Sequence, residues 1–425
     1  MLPIMNRETF EKTYQRFHSR DRSIQKQVAG IIDTVIDQKD KALFNFTKQF
    51  DKVDLESLRV SENEITKAKN ALDNQTRKIF EQAIENIRLF HQKQRQQSWK
   101  TTFDSGTELG QRFTAIDRVG IYIPGGRAVY PSTMMMNAIP AQIAGVPSIC
   151  AISPPDQTGK PHPLILATCG LLNLKEIYAV GGAHGIAALA YGTESIAPVY
   201  KITGPGNAYV AEAKRQVFGV VGIDSIAGPS EILILHDDPD VPVEYIVRDL
   251  LSQAEHDPDA RCTLITLSKT TAQQVDQRLD ELIPQLPRHE IILDAIQENG
   301  RIIHVDQMDD GVDLVNMIAP EHFELLVKDT AAVLPKIRNA GAIFVGKWSS
   351  EPAGDYYAGP NHTLPTNGAA KYASPLGVQD FQKHSSYIAY TEEHLKSQGK
   401  DIIYFAELEE LYAHAAAIQV RMEDL

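Results

Sequence analysis

The sequence predicts an α/β protein made of two Rossmann-like α/β/α units with parallel sheets, a helical N-terminal segment and a helical C-terminal tail. Short apolar runs alternate with helical stretches from about residue 119, and the alternation starts again after Ser230. Regions 21–97 and 380–425 lack this alternation: the first has helical periodicity, and the second contains no convincing strand. Strand–loop–helix repetition is typical of parallel sheets covered by helices.

The composition is that of an ordinary globular protein. The chain has 425 residues, of which 43% are hydrophobic and 23% charged. At roughly 150 residues per domain, this length predicts two or three domains. Its 55 acidic and 42 basic residues give a formal net charge of −13, which argues against a protein that binds nucleic acid or anionic membranes. The three cysteines lack CxxC spacing, and the sequence offers neither a signal-peptide core nor a membrane-length apolar run. We therefore expect a cytoplasmic protein.

The elements of the two units can be assigned from their apolar runs. In the N-terminal region, Ser61 and Glu64 have the spacing of a capping box at the start of a helix. The predicted strands of the first α/β unit are 119–123, 149–153, 177–182 and 199–203, with helices at 133–144, at 183–191 and after Asn207. The predicted strands of the second unit are 231–235, 262–267, 301–305 and 342–346.

The restart of the pattern predicts that the first unit is inserted into the second. The predicted divisions are an N-terminal arm (1–20), a main α/β domain (21–119 with 233–376), an inserted α/β domain (120–232) and a helical tail (377–425). The tail ends in a predicted amphipathic helix whose apolar stripe comprises Phe405, Leu408, Leu411, Tyr412, Ala415 and Ile418. Such a stripe must be buried, and a second subunit is one candidate surface.

Four residues with nitrogen or oxygen donors are candidate ligands of a divalent metal. Gln253 and His256 lie three positions apart near the end of a predicted helix, and therefore on one face. Asp355 lies in a Gly- and Pro-rich segment, 349–377, that is too long for a simple connection, and His414 lies on the tail stripe. Donors of this kind, without thiolates, suit Zn²⁺ or a similar ion. The structural alternatives are a histidine at a helix C-terminus, a turn aspartate and an interface histidine.

Glu321 and His322 form a candidate acid/base pair. They follow Pro320 at a predicted loop-to-strand boundary, where a carboxylate and an imidazole can have pKa values near neutrality. The alternative is a surface pair at the start of a strand. Nucleophilic catalysis has little support, because the cysteines lie in apolar contexts and the GxSxG motif is absent from the sequence.

Three glycine-containing turns at predicted strand ends mark a candidate ligand edge. One follows Tyr122, one contains Gly181-Gly182, and one consists of Gly204-Pro205-Gly206-Asn207. Helix N-termini with close glycine backbones suit phosphate groups. Each turn alone can be purely structural, and the sequence lacks the GxGxxG fingerprint.

Long motifs, in order from about residue 20 to 420, resemble those of the histidinol dehydrogenase family. They are GIYIPGG (120–126), VGGAHGIAALAYGTES (180–195), GPGNAYVAEAKRQV (204–217), AGPSE (227–231), LLSQAEH (250–256), APEH (319–322), AGDYYAGPNHTLPT (353–366) and the terminal pair Glu409 and His414. The resemblance implies a zinc-dependent enzyme that oxidises L-histidinol through L-histidinal to L-histidine with NAD⁺, the last step of histidine biosynthesis. It also implies a homodimer with one Zn²⁺ per subunit, in which the C-terminal tail completes the partner's site.

The resemblance implies a role for each candidate residue. The implied zinc ligands are Gln253, His256, Asp355 and His414, and the implied acid/base residues are Glu321 and His322. The implied substrate contacts are Ser230, His322, His362, Glu409 and the four zinc ligands. The implied NAD⁺ contacts are Tyr122, His184 and Asn207. His184 stands where the family commonly has Gln in a GGAQ motif, a departure that bears on cofactor affinity or its pH dependence.

Three other functions are weighed against this one. They are a paralogue of the same fold that oxidises another small polar alcohol, a zinc hydrolase that needs no nucleotide, and a non-catalytic binding protein. The presence of His362, Glu409 and all four candidate ligands favours a substrate with imidazole and amine groups. The glycine turns at several strand ends argue against the hydrolase.

Overall fold

A computed structural model of the chain describes residues 2–14, 22–125 and 129–424. Its strands are β1 (Ile4–Asn6), β2 (Trp99–Thr102), β3 (Glu108–Ala115), β4 (Arg118–Tyr122), β5 (Ser148–Ser153), β6 (Ile177–Ala179), β7 (Lys201–Thr203), β8 (Gly222–Ile223), β9 (Glu231–His236), β10 (Arg261–Thr266), β11 (Arg301–His304), β12 (His322–Leu326), β13 (Ala342–Val345) and β14 (Gln382–Ala389). The predicted strands of both α/β units are therefore confirmed, with small shifts of their ends.

Helices connect and cover these strands. They are α1 (Arg7–Thr13), α2 (Arg22–Gln38), α3 (Asp40–Phe50), α4 (Glu62–Ala71), α5 (Asn74–Gln92), α6 (Pro131–Ala144), α7 (Pro163–Leu171), α8 (Gly182–Tyr191), α9 (Ala208–Val217), α10 (Val243–Ala254), α11 (Lys269–Leu282), α12 (His289–Asn299), α13 (Met308–Ile318), α14 (Thr330–Val333), α15 (Glu351–Ala353), α16 (Glu392–Leu408) and α17 (Tyr412–Glu423). The capping box of Ser61 and Glu64 is confirmed at the start of α4.

The larger sheet has six parallel strands in the order β1-β11-β10-β9-β12-β13. Alternate residues of its strands face two separate cores. Ile232 and Leu264 pack with α10, α11 and α12 on one face, whereas Leu233 and Phe323 pack with α1 and α13 on the other. This α/β/α arrangement confirms the predicted fold class for the second unit.

The second sheet has five parallel strands in the order β6-β5-β4-β7-β8. Helices α2, α3, α8 and α9 form the core on one face, and α4, α5, α6 and α7 form the core on the other. Helices from residues 22–92 thus pack on the five-stranded sheet, although the predicted division assigned residues 21–119 to the unit of the larger sheet. The domain boundaries stay a prediction.

The expectation that the tail contains no strand is wrong. Strand β14 pairs antiparallel with β3 along its whole length, and β2 pairs with the other edge of β3. The sequence of β14, QKHSSYIA, is mostly exposed and lacks a clear apolar alternation. Pairing with β3 stabilises this strand, so the periodicity of its own side chains does not reveal it.

The C-terminal stripe is divided between two helices. The break between α16 and α17 contains Glu410, which has a left-handed φ of 59°. Phe405, Leu408 and Tyr412 are each more than 60% exposed, whereas Ala415 is 5% exposed. The single amphipathic helix of the prediction is therefore corrected to a helical hairpin, most of whose large apolar side chains remain exposed in the single chain.

None of the helices in residues 2–14, 22–125 and 129–424 has both the length and the apolar character needed to cross a bilayer.

Candidate active site

The candidate site lies at the amino edge of the six-stranded sheet. Glu231 begins β9, and Glu321 and His322 lie at the start of the neighbouring strand β12. Helix α10 follows β9 and returns antiparallel to it, which brings Gln253 and His256 at its C-terminal end back to the same edge. The topology of one β–α unit therefore brings these residues together.

His322 is held in one tautomer. Its Nδ1 lies 3.1 Å from the carbonyl oxygen of Glu231, and because a carbonyl only accepts, Nδ1 carries the hydrogen. Its Nε2 has no hydrogen-bond partner in the described part of the chain and lies 3.9 Å from both Glu351 Oε1 and Asp355 Oδ1. Burial lowers the pKa of His322 to about 4. The ring is therefore neutral at pH 7, with a free lone pair on Nε2.

Glu321 is buried beside His322, so the alternative of a surface pair is wrong. Its Oε2 accepts the N–H of Glu231 at 2.9 Å and lies 3.6 Å from Nδ1 of His322. Burial is the main cause that raises the pKa of Glu321 well above its ordinary value, and the Glu231 and Asp355 carboxyls add to the shift. Its carboxyl group therefore holds a proton more strongly than that of an exposed glutamate.

Three donor side chains converge next to His322. One ligand atom each from His256, Glu351 and Asp355 lies within 4.8 Å of the others. Gln253 lies one helical turn before His256; it is 1% exposed, and its Oε1 lacks a hydrogen-bond partner among residues 2–14, 22–125 and 129–424. Converging carboxylate and imidazole groups beside an amide oxygen without a partner fit a divalent cation.

Asp355 lies in a short helical part, 351–358, of the Gly- and Pro-rich segment 349–377, and much of the rest of that segment is irregular. Helix α15 continues into a π-helical turn at Gly354–Ala358. A Cβ on Gly354 would lie 2.6 Å from Cε1 of Phe344, so glycine allows this turn to pack against β13. Glu351, which the sequence analysis missed, lies four residues before Asp355 and shares its side of the turn. That i,i+4 spacing was the signal that could have found it.

His362 and Ser230 border the same edge. Nδ1 of His362 lies 3.0 Å from the carbonyl oxygen of Asp355, and its Nε2 lies 3.5 Å from Oγ1 of Thr133 on α6. Ser230 immediately precedes β9, and its carbonyl accepts the N–H of Arg261. Thr133 lies on α6, which covers the five-stranded sheet, whereas Asp355 belongs to the edge of the six-stranded sheet. His362 contacts both residues, so the site lies where the two α/β units meet. Burial lowers the pKa of His362.

A cavity of about 460 Å³ opens beside His256. The described part of its wall includes Phe80, Tyr130, Tyr356, Arg288 and Glu255, so it combines aromatic surface with charged groups of both signs. Such a cavity is large enough for a small polar molecule with a planar ring.

His414 and Glu409 are not brought to this site by the chain itself. Both are exposed in the tail hairpin, in α17 and just after α16 respectively. The tail stripe was expected to be buried, but His414 on that stripe is exposed in the single chain. Among the described residues, the third side chain that clusters with His256 and Asp355 is that of Glu351 and not that of His414.

The three residues predicted to contact a dinucleotide lie near the carboxyl edge of the five-stranded sheet. Tyr122 ends β4, and Asn207 caps α9 just after β7 by accepting the N–H groups of Tyr209 and Val210. In this sheet β5 and β6 are added on one side of β4, whereas β7 and β8 are added on the other side. A switch of this kind leaves a crevice where ligands bind in open parallel sheets.

His184 occupies a different environment from Asn207. Its ring is 1% exposed and lies 5.7 Å and 5.9 Å from the ring centroids of Phe46 and Phe50. Both ring nitrogens lack a hydrogen-bond partner in the described chain, and burial lowers the pKa of His184 to about 3. The nearby Tyr122 hydroxyl accepts the N–H of Gly182 at 3.3 Å. His184 is therefore a neutral, buried ring behind the glycine turn.

Comparison with known proteins decides the family. A model of the histidinol dehydrogenase family matches residues 14–422. The chain belongs to the histidinol dehydrogenase family. It is accordingly an oxidoreductase, as the motifs of that family in its sequence implied.

Curated relatives and a solved structure of this family agree with that assignment. The chain is 51% identical to histidinol dehydrogenase of Halalkalibacterium halodurans over 94% of both chains. It is 50% identical to that of Geobacillus kaustophilus, also over 94% of both. The crystal structure of histidinol dehydrogenase from Elizabethkingia anophelis superposes with a TM-score of 0.94 at 38% identity, covering 99% of this chain and 98% of that one.

Proposed function

We propose that this protein catalyses the zinc- and NAD⁺-dependent four-electron oxidation of L-histidinol through L-histidinal to L-histidine, the last step of histidine biosynthesis. One observation carries the proposal: in a member of the histidinol dehydrogenase family, the buried pair Glu321 and His322 lies directly beside the converging donors of His256 and Asp355. A base next to a cation site suits the removal of a proton and a hydride from an alcohol.

We propose Gln253, His256 and Asp355 of one subunit, with His414 of the partner subunit, as the zinc ligands. The unpartnered Oε1 of Gln253 and the proximity of His256 to Asp355 support the first three. When bound, a divalent ion supplies positive charge and open positions that the amine and imidazole nitrogens of the substrate can occupy. His414 is proposed from the resemblance and from its exposed place in the tail.

His322 is proposed as the base in the oxidation steps. Its Nε2 is unprotonated, because Nδ1–H donates to the Glu231 carbonyl. With the substrate hydroxyl at Nε2, the ring takes the hydroxyl proton while hydride leaves the carbon for NAD⁺. The substrate contacts proposed besides His322 and the ligands are Ser230, His362 and Glu409.

Glu321 is proposed as the base for the hydration between the two oxidations. Water must add to the aldehyde carbonyl before a second hydride can leave. A carboxylate takes a proton from that water most effectively when its pKa is close to the ambient pH, and the burial of Glu321 raises its pKa in that direction. The backbone N–H of Glu231 donates to Oε2 of Glu321 and thereby orients the carboxyl group.

NAD⁺ is proposed to bind at the switch between β4 and β7. Tyr122 and Asn207 border that crevice, and helix N-termini with close glycines favour pyrophosphate. A role for His184 as a cofactor contact stays a prediction, because its ring is buried next to Phe46 and Phe50.

A homodimer completes the proposal. Phe405, Leu408 and Tyr412 present apolar surface on the tail hairpin, which a second copy can cover while it receives Glu409 and His414. The cytoplasmic location stays a prediction from the sequence.

The test is the number of NADH molecules formed per L-histidinol consumed, followed by absorbance, before and after chelation and with zinc added back. Two NADH per substrate, lost with the chelator and restored by zinc, is the expected result. One NADH would indicate an alcohol dehydrogenase that releases the aldehyde. No turnover by metal-loaded protein would favour a paralogue acting on another small polar alcohol.

A further inference from the structure

We propose that Glu324 is a positioning residue. It holds the two chain segments that carry the converging donor side chains in a fixed position relative to each other. One part is α10, with Gln253 and His256; the other is the segment that begins at Glu351 and carries Asp355. The inference rests on the proposed function, because it assigns Glu324 a task toward the cation that these donors are proposed to hold.

Glu324 lies in an unusual place for a carboxyl group. It is in the middle of β12, two residues after His322 and therefore on the same side of the strand, and it is 0% exposed. Leu326, the next residue on that side, packs in the core with α10. Burying a carboxyl group in an apolar strand costs free energy unless it forms hydrogen bonds. Its presence therefore calls for a specific partner.

That partner is the start of the Asp355 segment. Oε1 of Glu324 accepts the backbone N–H of Glu351 at 3.1 Å. Glu351 is the first residue of α15, and an N–H at this position has no acceptor within its own helix. The bond therefore anchors the end of the turn that presents Glu351 and Asp355 to His256.

Glu324 also adjoins α10. The Asp249 carboxyl lies next to it, and Asp249 precedes Gln253 by one turn on the same helix face. A second, longer contact joins the same two parts, since Oγ of Ser252 lies 3.4 Å from Oε2 of Glu351. Glu324 thus lies between the helix and the segment that supply the donors, and it is not itself one of the three converging residues.

Metal affinity depends on such supporting contacts, because donors that are already aligned need not be ordered when the cation binds. Removing a supporting group typically costs 10–100-fold in affinity. Loss of the Glu324 acceptor leaves the Glu351 N–H buried without a partner and allows the segment to move away from α10. The expected effect is weaker cation binding with an unchanged set of ligands.

The experiment measures the affinity of the full-length protein for Zn²⁺ in competition with a chromophoric chelator, together with thermal unfolding. E324M removes the acceptor, and we expect its affinity to fall about 10–100-fold. E324Q keeps an amide oxygen for the Glu351 N–H, and its affinity should stay close to that of the wild type. The control is E212M, which removes a buried carboxyl group on α9, away from the donors; it should lose stability but keep its affinity.

A folded E324M protein with wild-type affinity would overturn the positioning role, and so would an E324Q protein as weak as E324M. If E324M does not fold, E324D replaces it: its shorter side chain withdraws the acceptor, and wild-type affinity in that variant would likewise overturn the role. A wild-type chain that binds no Zn²⁺ in the same titration would instead contradict the proposed function.

Discussion

Nε2 of His322 lies 3.9 Å from Oδ1 of Asp355, and the two side chains are only 6% and 16% exposed. One residue begins a strand of the six-stranded sheet, and the other lies in the π-helical turn after α15. A substrate held by a cation at Asp355 would therefore have its alcohol close to the basic nitrogen of His322. Proximity of this kind lowers the barrier because the base need not be brought in from solution.

Glu321→Gln is expected to separate the two oxidations. The amide cannot take a proton from water, so hydration of the aldehyde should slow by about 10²–10⁴-fold while the first hydride transfer persists. Rapid-quench analysis should show one NADH per site and accumulation of L-histidinal. His322→Asn is the comparison variant, and it should lose both oxidations. A Glu321→Gln enzyme that completes the second oxidation at the wild-type rate would exclude the proposed role.

His184→Gln is expected to reduce the acid sensitivity of the fold. In the folded state, burial keeps the pKa of His184 at about 3, whereas the ordinary value is 6.5. Below pH 6.5 the unfolded chain binds a proton that the folded chain does not. This difference does not reduce the free energy of unfolding above pH 6.5, and it reduces it progressively as the pH falls from 6.5 toward 3. At pH 5 the reduction is about 2 kcal/mol.

Denaturant unfolding at pH 7 and pH 5 measures this effect. The loss of unfolding free energy between the two pH values should be smaller in His184→Gln than in the wild type. His384→Gln, which changes an exposed histidine of β14, is the matched control and should behave like the wild type. An equal loss in all three proteins would show that His184 is not the group responsible.

Mixing two inactive variants tests whether the tail acts across subunits. H322A and H414A homodimers should each be inactive, but a heterodimer would contain one site with both residues intact. After complete exchange of equal amounts, activity should recover to about a quarter of the wild-type value, since half of the dimers have one working site. Confirmed subunit exchange without any recovery would mean that His414 does not complete the partner's site.

Gly354→Ala is expected to disturb the proposed cation site through packing. The added Cβ would lie 2.6 Å from Cε1 of Phe344, whose ring is 6.2 Å from that of His322. Overpacking of this kind typically costs about 1–3 kcal/mol, so both the free energy of unfolding and the Zn²⁺ affinity should fall. In Gly30→Ala, on α2, no atom of the described residues lies within 4 Å of the added Cβ, so the Zn²⁺ affinity should stay unchanged and the free energy of unfolding should stay unchanged or rise slightly. Wild-type values for Gly354→Ala would contradict this account.

The strands differ in how clearly their own sequences reveal them. Strands such as β5 and β9 are buried on both faces, so their continuous apolar runs were visible in the sequence. Strands β2 and β14 are largely exposed and are stabilised by pairing with β3, a long-range contact that their own side chains do not encode. The helical hairpin of the tail was missed because its apolar spacing continues across the break at Glu410.

In the candidate site, too, some residues could be predicted from the local sequence, whereas others depend on long-range contacts. Local spacing predicted that Gln253 and His256 share a helix face, and adjacency singled out Glu321 with His322. The spacing of Glu351 to Asp355 was visible in the sequence, but the burial of Glu351 and Glu324 was not. Glu324 owes its importance to the distant Glu351 N–H, and Glu351 to its approach to His256.

The sequence by itself determined the family, the α/β class and the residue types available for chemistry, because motifs, apolar periodicity and donor types are properties of short stretches of chain. Only the tertiary structure decided which of those residues meet. The parallel sheet returns α10 to the edge where β12 begins, and the helical segment after β13 brings Asp355 to His322. Contacts of this kind depend on the path of the whole chain, as does the burial that keeps the ring of His322 neutral.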